Sequence, residues 1–160
     1  MAVTTQYSTQ YDTQVVDGGT LNPDEFGGRV RTAYFEHDQS GAGDSGSLVY
    51  AVKLPPGRVR LIGKLCNVYV NWTTASATMD VGWLAYTGLD GTEVAADPDG
   101  IDDGLDVDAA GNKNLCSALA ATGYTKLFES STGVTLTFKS ASTAIASGDD
   151  LAGSLVYVVD

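Results

Sequence analysis

The signatures of a membrane span, an export leader or a metal finger are missing from this chain. No run approaches the roughly eighteen apolar residues that a bilayer-spanning helix needs. The opening residues, MAVTTQYSTQ, lack the positive and apolar regions of a secretory signal, so synthesis and accumulation in a cytoplasm are expected. Only two cysteines occur, Cys66 and Cys116, far apart and without metal-ligand spacing. Both are expected as buried reduced thiols, with a disulfide as the alternative. Basic residues are scarce: nine Lys and Arg against twenty Asp and Glu give a formal charge of −11. That balance excludes the broad positive footprint of a nucleic-acid or membrane-surface binder. Prolines number four and glycines nineteen, a ratio suited to many short strands and tight turns.

What is present is a core. Apolar residues make up 43% of 160 positions, enough for one domain that buries about 70% of its unfolded surface. The segment SLVYAVKLPPGRVRLIGKLCNVYVNW, Ser47 to Trp72, organises it as a pair of strands. Leu48, Tyr50, Val52 and Leu54 share one parity, the pattern of a strand with one buried face. Pro55 and Pro56 cannot donate to a ladder, and Gly57 permits a reversal. Val59 and Leu61 then face one side, with Arg58, Arg60 and Lys64 on the other. The apolar parity flips to Cys66, Val68, Val70 and Trp72, which predicts a β-bulge or a change of sheet between Gly63 and Asn67.

Elsewhere the pattern is also one of strands. RVRTAYFEHD alternates Val30, Thr32 and Tyr34 with Arg29, Arg31 and Ala33. Thr78 to Thr87 sets Met79, Val81, Trp83 and Ala85 on one face. Val134, Leu136 and Phe138 alternate with Thr135, Thr137 and Lys139, and Thr125 to Glu129 makes a shorter strand. LAGSLVYVVD at the end is apolar on both parities, as a central or covered strand would be. Leu115 to Leu119 fits a short helix or an irregular strand. Residues 90–108, with eight Asp or Glu and no Lys or Arg, are expected as a surface loop or short helical turn. Residues 1–28 are polar and weakly patterned, either disordered or laid along a neighbouring subunit. The expected architecture is an all-β, jelly-roll-like antiparallel sandwich over residues 29–160 behind an extended N-terminal arm, 1–28.

Few motifs carry chemistry. Gly43-Asp44-Ser45-Gly46 resembles the nucleophile segment of chymotrypsin-like proteases, but the one histidine, His37, lies eight residues upstream and fits no triad order. The segment therefore reads as a flexible loop, and no enzyme is expected. Asp97, Asp99, Asp102 and Asp103 offer closely spaced oxygens of the kind Ca²⁺ takes, although the EF-hand register fails; the bland reading is a solvated acidic loop. Arg29 with Arg31, and Arg58 with Arg60, are i,i+2 pairs that put two guanidiniums on one strand face each. Were their strands neighbours, four arginines would form one docking patch for an acidic partner. Asn71-Trp72-Thr73 fits a glycosylation sequon without an export signal to give it meaning.

The succession VKLPPGRVRLIGKL, TMDVGWLAYTGLDG, DPDGIDDGLDVDAAG and LAGSLVYVVD resembles the small all-β virion proteins of tailed phages, the capsid decoration or cement proteins. The resemblance covers residues 27–160 and implies a protein bound to the outside of a capsid, with the major capsid protein and further copies of itself (a trimer or dimer) as partners, and no nucleic acid or membrane. It implies no catalytic residues and no cofactor. Tyr7 and Tyr11 of the arm join Arg29, Arg31, Arg58 and Arg60 as expected capsid contacts. The competing expectation is a tail or fibre module that binds carbohydrate, with Ca²⁺ on the acidic segment and Trp72 and Trp83 as its stacking platform if exposed. Strand parity turns both indoles inward.

Overall fold

The computed structural model of the chain describes Asp17, residues 29–72 and residues 74–159. The arm expected over residues 1–28, with Tyr7 and Tyr11, otherwise lies outside them. Among the described residues the chain forms twelve strands: β1 (Arg29–His37), β2 (Leu48–Leu54), β3 (Gly57–Ile62), β4 (Asn67–Val70), β5 (Thr78–Trp83), β6 (Tyr86–Thr87), β7 (Glu93–Val94), β8 (Asp97–Asp106), β9 (Gly111–Asn114), β10 (Thr125–Ser130), β11 (Val134–Ser140) and β12 (Leu151–Val159). Two short 3₁₀ segments, Gly63–Leu65 and Ser117–Thr122, interrupt them.

Pairing is antiparallel throughout and nested. The first strand pairs with the last, β2 with β11, β3 with β10, and β5 with β8. A chain paired this way is one long hairpin, and rolling it up gives two sheets. β1, β12, the β3/β4 pair and the β10/β9 pair form the first sheet; β2, β11, β5 and β8 form the second. That is the two-sheet jelly roll. A small β6–β7 ribbon closes the far end of the hairpin.

Three local expectations give way to this topology. β2 and β3 are not a pair. Pro55-Pro56 and Gly57, at φ +108°, carry the chain from one sheet across to the other, because a segment without N–H donors cannot continue a ladder. Nor does β2 keep one parity. Its register on β11 slips between Leu136 and Thr137, leaving Ala51 without an opposite residue. The extra residue reverses the faces, so Val49 and Leu54 are buried whereas Tyr50 is 64% exposed. The acidic segment is a strand rather than a loop. β8 tolerates Pro98, Gly100 and Gly104 because it is a sheet edge with two register breaks against β5.

The parity flip near Gly63 is present, and the chain stays in one sheet. The 3₁₀ turn Gly63–Leu65 separates β3 from β4, and both lie along the same edge of β12: Tyr157–Val159 face β3, and Leu151–Ser154 face β4. At the gap the buried Cys66 thiol replaces the ladder. Its Sγ accepts the Val156 N–H at 3.3 Å and donates to the Ile62 carbonyl at 3.3 Å. Burial pushes this thiol up to about 11, so it remains protonated and inert. Cys116 is half-buried, and neither cysteine is in a disulfide.

Between the sheets lie Trp72, Leu54, Leu61, Met79, Ile101, Leu136 and Leu155, each about fully buried. Phe35 meets Phe138 at 5.2 Å between centroids, and Trp83 meets Phe128 edge-on at 5.3 Å. Each such side chain contributes roughly 1.5–3 kcal/mol by leaving water. Gly82 sets how closely β8 can approach, since a Cβ there would lie 1.9 Å from the Asp97 carbonyl oxygen and 2.5 Å from the Pro98 carbonyl carbon. Backbone cannot yield as a flexible side chain can. Gly82→Ala is therefore expected to cost about 3 kcal/mol or more, read as a lower midpoint in thermal or urea unfolding; an unchanged midpoint would mean that β8 does not pack as described.

Candidate docking surfaces

The strand register decides which arginines can act together. Arg29 and Arg31 lie opposite Val159 and Tyr157 of β12, which in turn face Val59 and Leu61 of β3. Residues opposite each other in antiparallel strands share a face, so Arg29 and Arg31 share the inward parity of Phe35. They stand at the open rim of the sandwich, and both are exposed. Arg60 faces Val158 and Leu127, and Arg58 faces Glu129, on the outer side of the same sheet. The two pairs are thus separated by β12 and turned to opposite faces, and the single four-arginine patch does not form. Arg58 Nε reaches Glu129 Oε1 at 3.1 Å, an exposed pair of little energetic weight. Lys64 leaves that face altogether: it sits in the 3₁₀ turn with its ammonium 4.0 Å over the Tyr124 ring.

The four aspartates proposed as calcium ligands are also separated. Asp102 points inward beside Val81 and is 2% exposed. Its Oδ2 accepts the Cys116 and Ser117 N–H groups at 2.8 Å each, and Oδ1 accepts the Ser117 hydroxyl at 2.6 Å. This carboxylate therefore anchors the start of the 3₁₀ helix Ser117–Thr122. Asp103 is exposed, and its N–H donates to Ser117 Oγ at 3.3 Å. Asp97 and Asp99 meet at the other end of β8, sharing a hydrogen bond. Among the described residues no three His, Cys, Asp or Glu side chains converge as a metal site would require.

The protease-like segment has other bonding. Ser45 Oγ donates to the Ala141 carbonyl at 3.1 Å, and His37 Nε2 lies 2.9 Å from Gln39 Oε1. Gly43 bridges Ile145 and Gly46 bonds Ser140, so the loop is stitched to the β11–β12 connection. Trp72 and Trp83 are 0% and 4% exposed, which removes the stacking platform on which the carbohydrate reading depended. Among the described residues the exposed aromatic side chains are Tyr34, Tyr50 and Tyr69.

Two grooves remain. One, of about 410 Å³, runs between the β6–β7 ribbon and β10 and is lined by Tyr86, Leu89, Val94 and Leu127. The other, about 200 Å³, is acidic, with Glu36, Asp38 and Asp150 around Tyr69 and Asn71. Asp150 is spoken for, accepting from Gln39 N–H at 2.9 Å and Asn71 Nδ2 at 3.1 Å. Sequence reasoning passed over Glu36 and Asp38, although both stand in the RVRTAYFEHD run opposite in sign to its arginines.

At the Asp97–Asp99 end, burial, then the hydrogen bond and negative charge of Asp99, raise the Asp97 carboxyl above its ordinary value; Lys126 partly opposes this. The Lys126 ammonium lies 4.2 Å over the Trp83 ring, a cation–π contact. A raised folded-state pKa means that the folded chain holds the proton more tightly. The associated stability is complete below the ordinary carboxylate pKa and is lost as pH rises through the raised one. Asp97→Asn mimics the protonated form. It is expected to raise the thermal midpoint at pH 7 and to match the parent near pH 3; equal midpoints at pH 7 would contradict the assignment.

The sequence matches no protein-family model and no curated protein. The fold does match solved structures. A chain in the structure described as "Capsid of Ralstonia phage GP4" aligns with a TM-score of 0.61 at 18% identity, over 83% of this chain and 86% of that one. A chain in "Cyanophage Pam1 capsid asymmetric unit" aligns with a TM-score of 0.52 at 14% identity, over 84% and 88%. Nearly the whole of each partner is covered, so the likeness extends to the full domain. The chain is an all-β jelly-roll sandwich with the fold of proteins present in these two phage capsids.

Proposed function

We propose that this chain is a virion structural protein that binds the outer surface of a phage capsid and holds neighbouring major-capsid subunits together. The observation that supports it is the end-to-end match of the domain to chains of similar length within two phage capsid structures. The surface chemistry is compatible with such a role. The Ser45 hydroxyl and His37 ring are engaged in separate local bonds, and Asp102 is a structural anchor. What the surface offers is charge and exposed tyrosine.

In this reading a clamp adds interface across subunit boundaries, so a capsomer that leaves must break more contacts. Arg29 and Arg31 lead the contact set, since neither has an ion-pair partner among the described residues. Arg58 and Arg60 present a second, separate face. The arm, residues 1–28 with Tyr7 and Tyr11, provides the reach to an adjacent subunit. Deleting residues 1–24 is expected to leave the unfolding midpoint unchanged and to abolish co-sedimentation with capsids of the phage that encodes the chain. Retained binding by the truncated form would remove the arm from the contact. Failure of the intact chain to bind capsids would overturn the function itself.

A further inference from the structure

We propose that the outer face of the first sheet binds a neutral oligosaccharide, which lies over the small side chains of β12 between Tyr34 of β1 and Tyr69 of β4. The strand register builds this site from two adjacent rows, each running from β1 through β12 and β4 to β9. One is Glu36, Ala152, Tyr69 and Asn112; the other is Tyr34, Ser154, Asn67 and Asn114. Both rows face outward, because Phe35, Val68 and Val70 of the alternate parity are buried in the core. Tyr34 is 66% exposed and Tyr69 48%.

The profile of this face is tall, small, tall. Between the tyrosines β12 offers only Ala152 and Ser154, both half-buried, so the middle of the face is a trough. The groove of about 200 Å³ opens along it, with Glu36, Asp38, Tyr69, Asn71 and Ala152 in its lining. Two strand spacings across and two residues along set the tyrosine Cα atoms roughly 12 Å apart, which leaves room for two sugar rings. Toward the other end of the sheet β12 turns Val158 outward between Val30 and Arg60, with no aromatic side chain in that row. Tyr50 lies on the second sheet, opposite Thr137.

The chemistry of the trough selects its occupant. An aromatic ring is negative on its face, and the C–H face of a sugar ring is apolar and weakly positive, so the two stack. The hydroxyls at the sugar's edge need donors and acceptors together. Asn112 and Asn114 present exposed amides to the trough. Asn67 Nδ2 donates to Ser154 Oγ at 3.4 Å, and the Tyr34 hydroxyl donates to Glu36 Oε2 at 3.4 Å, which ties the polar groups of the two rows together. A polyproline segment also suits paired tyrosines, but it carries acceptors alone and gives the Glu36 and Asp38 carboxylates no donor. The same carboxylates, on a chain of formal charge −11, repel acidic saccharides. A neutral sugar meets both conditions. The groove is small, so one copy binds weakly, with a dissociation constant on the order of 1 mM. Neither Trp72 nor Trp83 takes part, since both are buried. The site belongs to a single chain and does not rest on the capsid reading.

Nuclear magnetic resonance spectra of the isotope-labelled full chain, titrated with maltotriose, cellotriose, laminaritriose and mannotriose to about 10 mM each, read the site directly. At least one trisaccharide is expected to shift the Tyr34, Tyr69, Ala152 and Ser154 signals to saturation. Tyr34→Ala and Tyr69→Ala, both at exposed positions, are each expected to weaken that binding about 10-fold. Ala152→Leu fills the trough while leaving both tyrosines in place, and it should weaken binding as much. Tyr50→Ala, on the other sheet, should leave it unchanged. The proposal is overturned if none of the four sugars gives saturable shifts, or if the shifts fall outside the two rows. Tighter binding at the same residues by a ten-residue polyproline peptide, or by a hyaluronan tetrasaccharide, overturns it as well.

Discussion

The ladder of β12 is the interaction on which the rest of the sandwich depends. One edge of this final strand carries β1 along its whole length, and the other carries β4 and β3 end to end. It therefore ties the first described strand to the middle of the chain, and it is the member of the first sheet that touches three other strands. Two features let one strand serve three. Gly153 admits the β4 backbone, since a Cβ there would lie 2.3 Å from the Asn67 carbonyl oxygen. Cys66 bridges the interval at Val156 where neither β3 nor β4 reaches. A buried thiol is a weak hydrogen-bonding group, but it satisfies a backbone donor that would otherwise be left without a partner.

The nested order of pairing follows from the same constraint. Once the first and last described strands, β1 and β12, are joined, the successive pairs nest within them, and the hinge of the hairpin falls at the β6–β7 ribbon. The outer pairings are distant in sequence, so loop-closure entropy must be met before their native contacts reward it. The second sheet packs on the first through side chains, with Trp83, Phe128, Phe35 and Phe138 meeting across the interior. Several polar side chains within the fold are occupied in holding it. Asp102 is the clearest case, with three donors on its carboxylate. What remains for a partner is the rim and the outer faces.

That division explains which expectations survived. Parity arguments succeeded where the strand itself carries no extra residue: Met79, Val81 and Trp83, or Val59 and Leu61, are buried as their spacing implies. They failed at Leu48 and Tyr50 because a single unpaired residue, Ala51, reverses every side chain before it. Composition misled at 97–106, where proline, glycine and aspartate ordinarily mean a loop. At a bulged sheet edge the same residues are tolerated in a strand. The four aspartates named as calcium ligands are parted for a related reason, since alternation sends Asp102 and Asp103 to opposite sides.

The amino-acid sequence by itself determined the class: all-β, short strands, two sheets' worth of inward apolar residues and a surplus of negative charge. These are local properties, read from periodicity and counting. It also determined that the parity flip at Gly63 to Asn67 had to be accommodated by some break in the strand. Only the tertiary structure decided that β2 and β3 lie in different sheets, that Arg29 and Arg31 face away from Arg58 and Arg60, and that β12 carries β1 on one edge and β3 with β4 on the other. Those outcomes rest on which strands become neighbours and in what register. Register is set by packing between residues more than a hundred positions apart, as in Arg29 against Val159, and no local pattern carries that information.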